Sequence, residues 1–520
     1  MHTRRRFIAT GGSLAAASVL SPWSLADALS ASGGRFRDGA FADGVLSGDP
    51  TPHGITLWTR LAEVQGSGSV RLEVARDKGF RQVIATKDVQ TNADRGHTVK
   101  ARVGHLNPDE RYYYRFETVK GHSPVGRFQT APAPGSNRTL RFGVFSCQEY
   151  TFGFYNAHAA MAREDLDFVL NLGDYVYSDV GLGAPIGVRD AAYSHSEGRF
   201  SAAKLDEYRE LYQVVRRDGD LRAMQARFPM ISCWDDHEVQ NNYSGADPNG
   251  GATTGDRYSL RRRNNAYRAF FEQMPTVSAR NGSRRLYHSA AFGANMDLFV
   301  LDERQYRQTN PCGDKVGPAC PELGDPRAFL GDSQLAFARA GLKGSKAAWK
   351  VIANEVVMMP IKINETDYDA FDAWQGFPVE REALLRTVDT VDDVLFLTGD
   401  YHAFIAGDVR TAAGKTVSSE FVGGSVSSTT EPETKSIIRT PGYGTPDHAT
   451  MPADELARRR AANPWYVELD YDRHGYFVCE ASPTAFKTTF KKLATVRERS
   501  TKLAGTRSWT VQRGQRGLSA

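Results

Sequence analysis

The sequence predicts an α/β fold built on a central sheet, with a separate all-β domain ahead of it. Two patterns predict this. Between residues 41 and 130, short segments alternate apolar with polar side chains, and Gly, Pro and Asn separate them at short intervals. From Thr139 onward, compact apolar runs of buried-strand type alternate with longer stretches of helical period. Size agrees: 520 residues, 41% hydrophobic and 24% charged, describe a globular chain of one to three domains at roughly 150 residues each. Lys and Arg total 65 against 61 for Asp and Glu, a net charge of +4. So even a balance gives no support to a nucleic-acid partner or a membrane surface, either of which needs a concentrated basic face. Beyond the N-terminus no run reaches the roughly 18 apolar residues of a spanning helix, so no transmembrane anchor is expected.

The first element is an address. Arg4-Arg5-Arg6 precedes Phe7 and Ile8, a mildly apolar stretch runs on to Leu20, and Ala26-Asp27-Ala28 offers small residues to a peptidase. That is the plan of a secretory leader over residues 1–28. The arginine pair followed by Phe7 and Ile8 points to the twin-arginine route. The twin-arginine export machinery is then an expected partner, and the expected location is periplasmic or secreted.

Residues 36–132 read as an N-terminal β-sandwich, with strands at 55–59, 70–75, 98–103 and 112–117. His105-Leu106-Asn107-Pro108 followed by Tyr112-Tyr113-Tyr114 resembles the loop and aromatic strand of fibronectin-type or immunoglobulin-like modules. Residues 130–136, rich in Pro, Ala and Gly, form a linker. The α/β domain is placed at 138–485, with strands at 141–145, 168–172, 228–234, 296–301, 349–353 and 394–397. Its helices are expected at 155–164, 205–227, 260–273 and 332–342. The basic, polar segment 486–520 reads as a C-terminal surface extension. Cys312 and Cys320 lie in a Pro/Gly loop that can close a small disulfide ring in an oxidising compartment. For Cys147, Cys233 and Cys479 the simplest reading is a buried, inert thiol.

The chemistry lies just beyond the strands, because ligands of α/β sheets bind outside their carboxyl ends. The six strands run into Ser146-Cys147-Gln148, Gly173-Asp174-Tyr175-Val176-Tyr177, Asp235-Asp236-His237-Glu238, Asp302-Glu303-Arg304, Asn354-Glu355 and Gly399-Asp400-Tyr401-His402. One Asp after one strand is usually a helix cap or a surface residue. Six such ends are harder to dismiss, and converging carboxylates repel unless cations neutralise them. A multi-metal site is the economical inference. Carboxylate, phenolate and amide oxygens suit Fe(III), Ca, Mg or Mn, and imidazole also suits Zn and Fe.

The segments Phe145–Gln148, Gly173–Tyr177, Trp234–Asn242, Leu301–Arg307 and Leu397–His402 together resemble the alkaline phosphatase D (PhoD-like) family. The resemblance runs from the leader to about residue 485. That family is similar in core fold to purple acid phosphatases and other calcineurin-like metallophosphoesterases. It implies a sandwich of two mixed sheets flanked by helices, a β-rich N-terminal domain, Fe(3+) and Ca(2+) as cofactors, and hydrolysis of phosphate esters. It also implies roles. Cys147, Asp174 and Tyr177 would be iron-side ligands, with Asp174 bridging to the second metal. Asp236 would bind that second metal, Asn354 would add a further ligand, and Asp400 and His402 stand where relatives carry a His-x-His pair. A second calcium would draw on Asp302 or Asn241.

The mechanism expected is attack on phosphorus by a metal-activated hydroxide. His237 would give a proton to the leaving group or orient the phosphate, with a hydrogen-bonding role beside the metals as its alternative. Arg304 would clamp phosphate oxygens with its planar fork, or form a surface salt bridge instead. Two other functions stay open: a phospholipase D-like phosphodiesterase acting on phospholipids, and a non-catalytic metal-binding adhesion module suggested by the β-rich N-terminal domain. The pocket walls are expected from the loops 181–201 and 244–256.

Overall fold

Three five- and six-residue apolar runs, Leu140–Phe145, Phe168–Leu172 and Pro229–Cys233, pair in parallel at the centre of one sheet. Nearly every side chain in them is buried, as expected of strands covered on both faces. The sheet has nine strands in the order Leu503–Gln512, Ala485–Leu493, Gly475–Ala481, Leu140–Phe145, Phe168–Leu172, Pro229–Cys233, Val45–Thr51, Gly54–Arg60 and Thr98–Val103. A second sheet of seven strands has Met296–Val300, Trp349–Asn354 and Val394–Thr398 as parallel neighbours. The computed structural model describes residues 33–518 apart from 181–186, 191–199, 252–257 and 277–283. The expected leader lies outside the described residues, and so does much of the two expected wall loops.

The two mixed sheets pack face to face with helices on their outer sides. In the seven-stranded sheet the pleat sorts alternate residues: Leu298, Val300, Val351, Ala353, Leu395 and Leu397 point into the core shared with the other sheet. Phe299, Ile352 and Phe396 point outward, under the helices Gly331–Gly344 and Pro378–Val388. Across the shared core Phe168 stacks between Phe142 and Phe292, at centroid distances of 4.7 and 4.5 Å. The nine-stranded sheet is covered by Leu205–Val215, Gly219–Arg227 and Leu260–Gln273. The first two replace the single helix expected over 205–227. Asp218 accepts from the N–H groups of Asp220 and Leu221 at 2.8 and 3.1 Å, and this cap starts a new helix instead of continuing the old one.

In the N-terminal region a four-stranded sheet, Val83–Asn92, Ser67–Ala75, Arg111–Glu117 and Gly126–Gln129, covers Val45, Ile55, Leu57 and Val99 with Val70, Leu72, Tyr112, Tyr114 and Phe128. Val45–Thr51 also pairs in parallel with Pro229–Cys233, Ser47 opposite Pro229, so one sheet runs from this region into the α/β core.

The segment 486–520 is not the surface extension its charge suggests. Ala485–Leu493 and Leu503–Gln512 are paired strands of the large sheet. Phe486, Thr488 and Phe490 alternate inward, while Lys487 stays exposed and Lys491 half-buried on the other face. Each buried phenylalanine contributes about 1.5–3 kcal/mol, which outweighs the polar character of the segment. Cys312 and Cys320 are joined in a disulfide, and Cys147, Cys233 and Cys479 are buried thiols. Among the described residues no helix is long and apolar enough to cross a membrane.

Candidate metal centre

The carboxyl ends of the two parallel triplets face one another, and the candidate ligands sit in the turns leaving them. Cys147, Asp174, Asp400 and His402 all have left-handed backbone, with φ of +58°, +53°, +63° and +52°. Such conformations cost about 1–3 kcal/mol each for residues with a Cβ and concentrate at functional sites. Gly173, at φ +100°, lets one turn lie against the next: a Cβ there would be 2.5 Å from the Cβ of Asp235. Glu238 pins the same turns. Its carboxylate accepts from the N–H groups of Asp174, Tyr175 and Asp235 at 3.1, 2.7 and 2.7 Å.

Three overlapping groups of donor atoms result, each with its atoms within 4.8 Å of one another: Cys147, Asp174 and His402; Asp174, Asp236 and His237; Asp235, Asp236 and Asp400. Tyr177 joins the first, donating to Asp174 Oδ2 at 2.9 Å with His402 Nε2 3.5 Å from its oxygen. His402 is oriented from behind by Thr429, whose carbonyl lies 2.7 Å from Nδ1, and Ser428 Oγ donates to the Tyr177 oxygen at 2.6 Å. The ring of His237 lies on that of Tyr177, centroids 4.2 Å apart. Cys147, Asp174 and Asp236 are buried, whereas His237, Asp400 and His402 stay partly open.

The electrostatics favour a cation. Burial comes first among the effects that push the Asp174 carboxyl well above its usual range, followed by Asp236 and Asp235. Burial and then Asp235 and Asp372 do the same to Asp400. Burial with Asp174 raises both the Cys147 thiol and the Tyr177 phenol far above their ordinary values. Burial holds His402 down to about 4, so the imidazole is neutral and able to coordinate. Asp236 goes the other way. Burial opposes its ionisation, but Arg304, His237 and the Asn242 N–H hold it below the usual range. Buried carboxylates, a thiol and a phenol whose anions are disfavoured are the set that bound cations would restore to the charged form. The donors therefore fit a metal group, and two further atoms agree: Asp235 Oδ2 and His237 Nδ1 are buried without a hydrogen-bond partner.

Three expectations change. Asn354 was expected as a ligand, but both ends of its amide are engaged within the protein. Its Oδ1 accepts from Trp374 Nε1 at 3.0 Å, and its Nδ2 donates to Val356 O and to Thr398 Oγ1. Asp302, a candidate for a second calcium, accepts from Trp234 Nε1 at 2.9 Å and from both amides of Gln305. Asn241, the other candidate, is exposed and is tied through its N–H to Asp179. Arg304 is neither on the surface nor open to a ligand. It is 0% exposed, with Nε on Asp235, Nη2 3.5 Å from Asp400 and 3.8 Å from Asp236, and Nη1 3.8 Å from Asp372. That placement makes it a built-in counter-charge for the carboxylates. Sequence reasoning passed over Asp235 and Glu238 inside a motif it had found, and it missed Asp372, which no motif marks.

Comparison with known proteins gives a consistent set of likenesses. A family model described as "PhoD-like phosphatase" matches residues 142–490, and one described as "PhoD-like phosphatase, N-terminal domain" matches residues 27–132. The chain is 32% identical, over an alignment 540 positions long, to alkaline phosphatase D of Bacillus subtilis (strain 168), covering 99% of this chain and 88% of that one. The solved structure of PhoD superposes with a TM-score of 0.80 at 31% identity, over 93% of this chain and 92% of the other. The purple acid phosphatase PPD1 from seeds of yellow lupin, Lupinus luteus, gives a TM-score of 0.52 at 12% identity, over 89% and 73%, a likeness of fold alone.

Proposed function

The chain belongs to the PhoD-like phosphatase family and is a phosphoester hydrolase, and on that premise we propose that its strand-end ligands hold Fe(3+) beside Ca(2+) for hydrolysis outside the cytoplasm. The observation that carries the reading is the sharing of donors. Asp174 belongs both to the group with Cys147 and His402 and to the group with Asp236 and His237. Sulfur, imidazole and phenol on one side of it suit iron, and carboxylates on the other suit calcium. Cations held there would supply Lewis acidity, to activate water near neutral pH and to offset charge on the phosphate oxygens.

The chain's own groups do the rest. Asp174, shared by two groups of donors, would serve both sides, and Asp236, kept ionised by Arg304, would supply a fixed negative group. His237 rests on the Tyr177 ring and is partly open, so its imidazole can orient a phosphate oxygen or give a proton to the departing alkoxide. Arg304 lies too deep to clamp substrate and acts on the carboxylates instead. The arginine-rich start of the sequence supports export by the twin-arginine route and a periplasmic or secreted location. The adhesion-module reading falls away with membership of a phosphatase family.

Turnover of a phosphomonoester, a phosphodiester and a phospholipid by natively exported protein tests the proposal. A strong chelator should abolish turnover, and calcium with iron should restore it. Asp174→Asn should lose both bound metal and turnover; full activity in that variant sinks the assignment. The ratio of monoester to phospholipid rates at matched metal loading separates a phosphatase from a phospholipase D-like enzyme.

A further inference from the structure

The disulfide ring does more than close a loop. Three successive residues within it, Cys312, Gly313 and Asp314, have left-handed backbone, with φ of +57°, +64° and +51°. Outside glycine this conformation is unfavourable and persists where the surroundings over-determine it. Here the Cys312–Cys320 bond closes the turn, and the turn presents the Asp314 carboxylate. Its Oδ2 accepts from the side-chain amides of Asn242 at 2.9 Å and Asn310 at 3.1 Å, and its Oδ1 from the N–H of Phe371 at 3.1 Å. Asn242 in turn donates its own N–H to Asp236 Oδ2 at 2.5 Å. Phe371 immediately precedes Asp372, whose carboxylate faces Arg304. One side chain thus ties the turn behind Asp236 to the loop that brings Asp372 against the cluster.

We propose that Asp314 is a positioning residue of the metal centre and that the Cys312–Cys320 disulfide holds it in place. It acts through Asn242. With the Asn242 side chain anchored, its N–H stays aimed at Asp236 and fixes the rotation of that carboxylate relative to Asp174 and Asp400. Partners one step behind a ligand commonly change metal affinity tenfold to a hundredfold, and the losses expected here are at the lower end because the link has two hydrogen bonds in series. The proposal rests on the reading that Asp236 binds a cation.

Calcium affinity of the full-length exported protein, measured by chelator competition, provides the test. Asp314→Ala and the double variant Cys312→Ser/Cys320→Ser should each weaken calcium binding about tenfold. Asn242→Gly should do the same, since glycine keeps the N–H and tolerates the φ of +51° at that position while losing the anchor. The combination Asp314→Ala/Asn242→Gly should lose no more than either change alone, because both cut one path. Additive losses, or wild-type affinity in Asp314→Ala, overturn the proposal. If the variant without the disulfide fails to fold, Asn242→Gly decides: wild-type affinity there is a refutation. Wild-type protein that binds no calcium defeats the functional reading itself, and this one with it.

Discussion

Replacing Arg304 by methionine removes the cation that lies among four carboxylates while keeping most of the side chain's length and apolar contact. The perturbation can be sized from the geometry. Two of the pairs are at 3.8 Å and one at 3.5 Å, with a fourth hydrogen-bonded through Nε. At an effective dielectric constant of about 20, a unit pair at 3.8 Å attracts with about 4 kcal/mol before desolvation is counted. Breaking a buried pair by removing one partner costs about 3–5 kcal/mol net, because the remaining charge has no compensation. Arg304→Met should therefore lose about that much stability in a chelator, and Arg304→Lys should lose less. Bound cations supply the missing positive charge, so the penalty should shrink when metal is in excess. Urea unfolding followed by tryptophan fluorescence, with and without chelator, measures both. If Arg304→Met stays within about 1 kcal/mol of wild type in chelator while KM for a phosphate ester rises, the arginine is a substrate clamp and the counter-charge argument is wrong.

Two other predictions concern single rings. Loaded with iron, the protein should absorb visible light through the Tyr177 phenolate, and Tyr177→Phe should lose that band; an unchanged spectrum would remove Tyr177 from the ligand set. His158 is buried, with Nε2 2.6 Å from Gln148 Oε1, and burial lowers it from 6.5 to about 3. Its folded value is depressed, so the fold favours the neutral ring: the contribution to stability is complete above pH 6.5 and is lost as pH falls toward 3. Between about pH 6.5 and 5 that amounts to about 2 kcal/mol at ~1.36 kcal/mol per unit. Stability curves against pH should diverge over that range between wild type and His158→Gln; parallel curves would refute the assignment.

The parallel strands were legible because burial on both faces leaves uninterrupted apolar runs, and Phe168–Leu172 and the helix Leu260–Gln273 lie where their patterns place them. The ligand turns were legible for the same reason, since a run of apolar residues ending in Asp or His marks the end of a strand as well as a donor. Other features had no such signal. Val45–Thr51 carries Gly48 and Pro50, which interrupt any strand pattern, and no element is assigned to it from sequence; yet it bridges the N-terminal strands to the core. In Ala485–Leu493, Lys487 and Lys491 occupy one face of the pleat and mask the phenylalanines on the other. Depth was the hardest quantity to read. Arg304 has the chemistry of a phosphate clamp and Asn354 that of a ligand, and only their partners reveal that one balances buried charge and the other is consumed by Trp374.

The large sheet joins parts of the polypeptide made far apart in time. Leu140–Phe145, which leads into Cys147, acquires its neighbour on one side from Phe168–Leu172 and on the other from Gly475–Ala481, Val144 opposite Phe477. That second neighbour is made long after the first, so closure depends on contacts of very long sequence separation and is slow. A product truncated before residue 475 would leave this strand as a raw, apolar border, a template for clumping and not a smaller working enzyme.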